Sequence, residues 1–365
     1  MRFQKRHLFL VNIFYKIDNL FGKHYRIETK INFPSDINIV IFEPYLMGDS
    51  ILLIESLKLF KKYYPFNRIT VVCNPANIQL LSSLFNSIDY IGLELPWISK
   101  RVIVKRLIKQ ILYIRKRKFD IVFEIRGDLR SALVAKLFNS PTLVSNSDLP
   151  IKNLAHIIYS VNNQHIFSKY ESFLSYFNVP LIENLNNQNI SLSVNDIVGV
   201  HFGASMELRK MQINEIIDII NVLVETHNSI YFFNDPGMSH SDLAIIQNLF
   251  RSSHKVKFCS FSLLDFVCFI KKEIDLMYCL DSGVAHLVSF LGKKSVVFYG
   301  SSDYRYTKPL FNSIPLYTEK YSNYLKREVS HIESLNNPNN LNLAPKFDNN
   351  SMYLGISLCL KKLIL

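Results

Sequence analysis

The hydrophobic positions of this chain follow two rhythms that alternate. Ile37–Phe42 is apolar apart from Asn38, as expected of a strand buried on both faces of a parallel sheet. A loop, Glu43–Asp49, follows. Apolar residues at 51, 54, 57 and 60 then give helical spacing over Ser50–Tyr63. Ile69–Cys73 is again a continuous apolar block, which completes a βαβ unit. The alternation continues with a helix over 75–86, a strand Ile88–Leu93, a long basic helix over 99–117 and a strand Phe119–Ile125. A helix Asp128–Phe138, a short strand Thr142–Ser145 and a helix over 164–177 close the set.

A second set begins with a strand Ile197–Phe202. It runs through a helix over 213–226, a strand Ser229–Phe233 and helices over 240–251 and 262–271. A strand Leu276–Cys279, a helix Gly283–Phe290 and a strand Ser295–Tyr299 follow. Asn184–Asn189, polar and rich in Asn, reads as the linker between the sets. Residues 330–350, rich in Asn and Pro, read as loop, and 352–363 as a last helix. Two such sets predict an α/β protein of two doubly wound, Rossmann-like domains facing a central cleft. The expected division is a basic extension over 1–35, a first domain over 36–185, a second over 190–345 and a C-terminal helix over 346–365.

At 365 residues and 48% hydrophobic content the chain has material for two cores. The formal net charge of +12 favours anionic partners. The surplus is local: between Lys100 and Lys118 stand nine Lys or Arg and no Asp or Glu. That segment is either a solvated face or a surface for anionic lipid. It holds one aromatic, Tyr113, and no nucleic-acid motif accompanies it, so nucleic acid is not expected as a partner. In the basic N-terminus, Leu10, Phe14, Ile17 and Phe21 recur at helical spacing, which suits an interfacial helix or one packed on the protein body. No apolar run approaches the roughly 20 residues of a membrane span, and no signal peptide is expected. Five scattered cysteines without a CxxC pair argue against a disulfide framework or a zinc site and fit a cytoplasmic setting.

In doubly wound sheets ligands bind beyond the carboxyl ends of the strands, so the loops after strands are where chemistry is expected. Gly48-Asp49 follows the first strand. Asp49 is either a helix cap or a general base that takes a proton from an attacking hydroxyl. Arg126 and Arg130, after the Phe119–Ile125 strand, either open a charged helix or fork onto an acceptor's carboxylate or phosphate. In the second set, Gly203-Ala204-Ser205 with Arg209 and Lys210 combines small residues with nearby cations, a pattern suited to phosphate. Asp281-Ser282-Gly283-Val284-Ala285-His286 places small residues at a helix start, where free N–H groups and the helix dipole attract anions. His286 lies one turn further, either structural or turned to a ligand. No DxD triplet offers a two-carboxylate metal clamp.

Taken together, the order of these loops resembles glycosyltransferase family 9, the heptosyltransferases of the lipopolysaccharide core. The resemblance spans roughly residues 36–310. It rests on Leu46-Met47-Gly48-Asp49-Ser50, on Phe119–Gly127 with Leu129-Arg130-Ser131-Ala132, and on Gly203-Ala204-Ser205. Asp281-Ser282-Gly283 with His286, Gly292-Lys293, Tyr299-Gly300 and Asp303 complete it. The resemblance implies a GT-B fold and an inverting transfer that uses no metal or other cofactor. It implies Asp49 as the catalytic base, and Gly48, Arg126 and Arg130 are expected on the acceptor side. On the donor side it implies Gly203, Ala204, Ser205, Arg209, Lys210, Asp281, Ser282, Gly283, Val284 and His286. The family's second-domain loop usually holds a Lys two residues before a Trp. Arg209 and Met211 stand at those positions here, a departure at the donor site. The expected partners are a nucleotide-sugar donor, with ADP-heptose foremost, and a lipid-linked saccharide acceptor at the inner face of the cytoplasmic membrane. Two other readings share the pocket: another nucleotide-sugar enzyme, such as an epimerase, and a non-catalytic binding protein.

Overall fold

The computed structural model describes residues 25–27, 36–65, 68–98, 103–161, 165–180, 192–193, 196–204, 209–234, 238–300, 302–319, 353 and 355–364. The chain divides into two compact units, Met1–Glu183 and Asn184–Leu365. The proposed N-terminal interfacial helix, the Asn184–Asn189 linker, Ser205 and the 330–350 loop lie outside the described residues.

The first unit carries β1 (Arg26–Ile27), β2 (Asn38–Glu43), α1 (Met47–Tyr63), β3 (Arg68–Cys73), α2 (Ile78–Leu84) and β4 (Asp89–Gly92). It continues with α3 (Val104–Lys116), β5 (Ile121–Glu124), α4 (Leu129–Ala135), β6 (Thr142–Asn146), β7 (Ile157–Tyr159) and α5 (Ser168–Tyr176). Its strands form one parallel sheet in the order β1-β7-β6-β5-β2-β3-β4. Val40, Phe42, Val72, Val122, Leu143 and Ile158 are buried in one core with Ile114 and Phe138. The all-apolar strands are thus explained by helices on both faces of the sheet. Arg26–Ile27, expected in a separate extension, instead adds an edge strand beside β7.

The second unit carries β8 (Val198–His201), α6 (Ile213–Thr226), β9 (Ile230–Phe233), α7 (His240–Leu249), β10 (Val256–Cys259) and α8 (Leu263–Glu273). Then come β11 (Leu276–Leu280), α9 (Gly283–Phe290), β12 (Lys294–Phe298), α10 (Tyr304–Thr307), β13 (Ser313–Leu316) and α11 (Ile356–Ile364). Its parallel sheet has the order β10-β9-β8-β11-β12-β13. The last helix belongs to this unit: Ile356 and Leu360 are buried in its core, and Lys361 pairs with Glu225 of α6 at 2.8 Å.

Both sheets build outward from a central pair, β2 beside β5 and β8 beside β11. The chain winds to one side from the earlier strand and to the other from the later one, the Rossmann order with its switch point between the two. The α/β class expected from the alternation is the class found. Several bounds differ for local reasons. Helix α1 starts at Met47 rather than Ser50, so Gly48 and Asp49 lie within its first turn. Leu46 occupies the cap position without a side-chain bond, so Asp49 is not the cap. The helix expected over 75–86 opens as a 3₁₀ turn at Pro75–Asn77, capped by Asn74, before α2. Three strands gave no strong pattern. β7 has three residues, β10 carries Lys257 on its exposed face, and β13 contains Pro315. Proline is tolerated there because β13 is a sheet edge.

Candidate active site

In the first unit the switch point brings the end of β2 beside the end of β5. Asp49, in the first turn of α1, receives the Arg126 guanidinium on Oδ1 at 2.5 Å. Arg126 also lies over the Tyr45 ring, 4.4 Å from its centroid. Its backbone is fixed by Glu124, whose carboxylate accepts from Arg126 N at 3.1 Å, Gly127 N at 2.9 Å and Ser145 Oγ at 2.7 Å. Gly127 has φ +68°, and a Cβ there would stand 2.3 Å from Asn146 Oδ1. A side chain at 127 would therefore break the turn that aims Arg126. Lys169 Nζ donates to the Arg126 carbonyl at 2.8 Å and pairs with Asp148 at 2.9 Å.

Beneath Asp49 lies Glu43, the last residue of β2, fully buried. Tyr170 Oη donates to Glu43 Oε2 at 3.3 Å and to the Asp49 carbonyl at 3.1 Å. Glu43 Oε1 has no hydrogen-bond partner among the described residues. Burial pushes the Glu43 carboxyl up to about 8, against the opposing pull of the Arg126 charge. Burial likewise raises Glu124 to about 7. Glu43, Tyr45, Lys169 and Tyr170 were not singled out from the sequence. A glutamate directly after the apolar run Ile39–Phe42 was the available signal for Glu43. Gly48 sits beside Asp49 in the helix start. Arg130 stands apart, forked onto Asp128 at 3.0 and 3.2 Å and over the Trp97 ring at 5.2 Å.

In the second unit the switch point joins the loops after β8 and β11. Gly203 and Ala204 are buried directly after β8, and Met211, further along, packs in the core. The Trp-to-Met departure is thus a core position. Arg209 Nη1 reaches Asp281 Oδ2 at 3.4 Å and its carbonyl at 3.3 Å. Asp281 is buried and also takes a 3.4 Å bond from Thr307 Oγ1. Ser282 is the cap residue of α9, yet its side chain makes no capping bond, and its buried Oγ has no partner among the described residues. The first N–H groups of α9, at Gly283 and Val284, have no intrahelical acceptor, so the helix start keeps its anion-binding character. His286 is buried within the first turn. Lys210 is half-buried beside Arg209. Gly203, Ala204, Arg209 and Asp281–Val284 thus lie at the ends of the neighbouring strands β8 and β11, and Ser205 is outside the described residues. Among the described residues no group of three or more His, Cys, Asp or Glu is placed to hold a metal ion.

Two doubly wound α/β units, each with a polar site at its switch point, make a GT-B architecture. Residues 184–335, most of the second unit, match the model of glycosyltransferase family 9 (heptosyltransferase). Solved structures agree in fold. The glycosyl transferase family 9 protein of Veillonella parvula DSM 2008 superposes with a TM-score of 0.65 at 17% identity, over 92% of this chain and 99% of that one. E. coli heptosyltransferase WaaC with ADP gives 0.61 at 12% identity, over 76% and 93%. E. coli ADP-heptose lps heptosyltransferase II gives 0.61 at 16%, over 77% and 91%. No curated protein sequence matches the chain.

Proposed function

We propose that this protein is a glycosyltransferase that moves heptose from ADP-heptose to a saccharide of the lipopolysaccharide core or a related lipid-linked acceptor, with inversion and without a metal. The observation that carries the reading is the Arg209–Asp281–Ser282 cluster at the start of α9, inside the stretch that matches family 9. A heptosyltransferase of the same fold was solved with ADP-2-deoxy-2-fluoro heptose, which supports ADP-heptose as the donor. In the step proposed, Asp49 accepts the acceptor hydroxyl proton on Oδ2, the oxygen that Arg126 leaves open. The hydroxyl oxygen bonds to the anomeric carbon as the carbon–oxygen bond to the diphosphate breaks. The electron pair leaves with the diphosphate. The N–H groups of Gly283 and Val284 and the cations Arg209 and Lys210 stabilise that departing charge. Arg126 orients the base, and its stack on Tyr45 holds the guanidinium in place.

The acceptor's lipid implies a membrane surface, and α3 suits one. Val104, Ile108 and Leu112 are 65%, 52% and 52% exposed. Lys105, Lys109 and Lys116 line the same side of the helix. Among the described residues no helix is long and apolar enough to cross a membrane, so the contact proposed is peripheral. The test of the reaction is Asp49→Asn assayed with ADP-heptose and a lipopolysaccharide-core acceptor. Transfer should fall by about 10²–10⁴-fold while ADP affinity stays within about twofold. Full transfer by this variant would refute the role of Asp49.

A further inference from the structure

The family match ends at residue 335, but the packing of the second unit does not. Tyr353 is 2% exposed and belongs to the same core as β8, β11 and β12. Its hydroxyl donates to the main-chain carbonyl of Arg209 at 3.1 Å. Its ring fills the space over Gly300, just past β12. A Cβ built on Gly300 would stand 2.4 Å from Cζ, 2.5 Å from Cε2 and 2.7 Å from the hydroxyl oxygen of Tyr353. Arg209 in turn holds the Asp281 carbonyl and carboxylate. One tyrosine therefore touches the loops after β8 and β12 directly, and the loop after β11 through Arg209.

We propose that Tyr353 is a positioning residue of the donor site: from behind, it sets the backbone height at which Arg209 meets Asp281 and the donor diphosphate. The inference rests on the reading of Arg209 as a donor ligand. The hydrogen bond lands on the residue's own carbonyl, so it fixes the start of the side chain that carries the charge. Helix α11 supplies the anchor. Ile356 and Leu360, three and seven residues beyond Tyr353, are buried in the core, so the ring is pinned from its own side as well. The bare Cα of Gly300 gives the ring its seat, because any side chain there would have to displace it.

The test is calorimetric titration of the full chain with ADP, and with UDP in parallel, across wild type, Tyr353→Phe, Arg209→Ala and the double variant. Tyr353→Phe keeps the ring and loses only the hydroxyl. It should weaken nucleotide binding about five-fold, equivalent to about 1 kcal/mol. Arg209→Ala should weaken binding further, and the double variant should bind no more weakly than Arg209→Ala alone. Gly300→Ala, which pushes on the same ring, should reproduce the loss seen with Tyr353→Phe. Thermal melts of each variant report folding separately. Normal affinity in Tyr353→Phe, with Arg209→Ala weakened, overturns the inference alone, whatever the melting temperature. Losses that add in the double variant overturn it as well, because they show Tyr353 acting independently of Arg209. Normal affinity in Arg209→Ala, or a wild type that binds neither nucleotide, overturns the donor-site reading and the inference with it.

Discussion

Two buried glutamates lie under the Asp49–Arg126 pair, and their raised pKa values tie stability to pH. Glu43 goes from an ordinary value of 4.5 to about 8, and Glu124 from 4.5 to about 7. Between 4.5 and these values the unfolded chain releases protons that the folded chain keeps. The unfolded state then binds fewer protons, so stability falls as pH rises. Each group contributes a slope of about 1.4 kcal/mol per pH unit until the folded carboxyl ionises. For Glu43 the loss runs from about pH 4.5 to about pH 8 and then levels. Glu43→Gln, which keeps the shape of the neutral acid, should melt like wild type at pH 4.5 and several degrees higher at pH 8. Equal melting temperatures at pH 8 would show that Glu43 is ionised at little cost in the folded protein. Asp49 and Arg126 were each legible in the sequence as polar residues just past a strand. Their pairing was not, because it depends on β2 lying beside β5, a long-range choice that no local pattern encodes. Glu43 escaped for a smaller reason. The apolar rhythm stopped at Phe42, and the next residue read as loop although it ends the strand.

Helix α3 shows how an element can be recognised while its role stays open. Its spacing and charge were plain, but whether a basic amphipathic helix is a solvated face depends on how much apolar surface the body covers. Leu107, Ile111 and Ile114 pack against the first unit's core, and Ile114 is fully buried. At about 100° per residue, Val104, Ile108 and Leu112 continue that apolar sector round to the exposed side. Lys105, Lys109 and Lys116 form the next row. The apolar sector is therefore about twice as wide as the core contact needs. Neutralising the three lysines together, as Lys→Gln, should cost about 1 kcal/mol each at an anionic surface. Partition onto phosphatidylglycerol vesicles should then fall by roughly two decades, while phosphatidylcholine vesicles should bind wild type and variant alike. Undiminished co-sedimentation of the triple variant with anionic vesicles would remove α3 as the contact. The edge strands β10 and β13 were hidden for a related reason: an edge needs neither length nor a continuous apolar run, so it leaves a weak pattern.

At the scale of the whole molecule, each unit has its own complete sheet, its own core and its own switch point. That repetition was the most legible feature of the chain, because alternation over many elements survives errors at any one of them. It also separates the proposed chemistry. The residues assigned to the donor lie in the loops after β8 and β11 and on α9, and the proposed base lies on α1. Ligand binding to the folded state raises stability by RT ln(1 + [L]/Kd), about 2.7 kcal/mol at a hundredfold excess over Kd. If ADP binds the second unit, its thermal shift should depend only on that unit's residues. Asp49→Ala and Arg126→Ala should each change the starting melting temperature yet leave the ADP-induced shift intact. Arg209→Ala, and Gly283→Val at the first turn of α9, should each shrink that shift by more than half at fixed ADP. A shift abolished by Asp49→Ala would mean that nucleotide binding depends on the first unit, and the division of labour between the sheets would have to be redrawn.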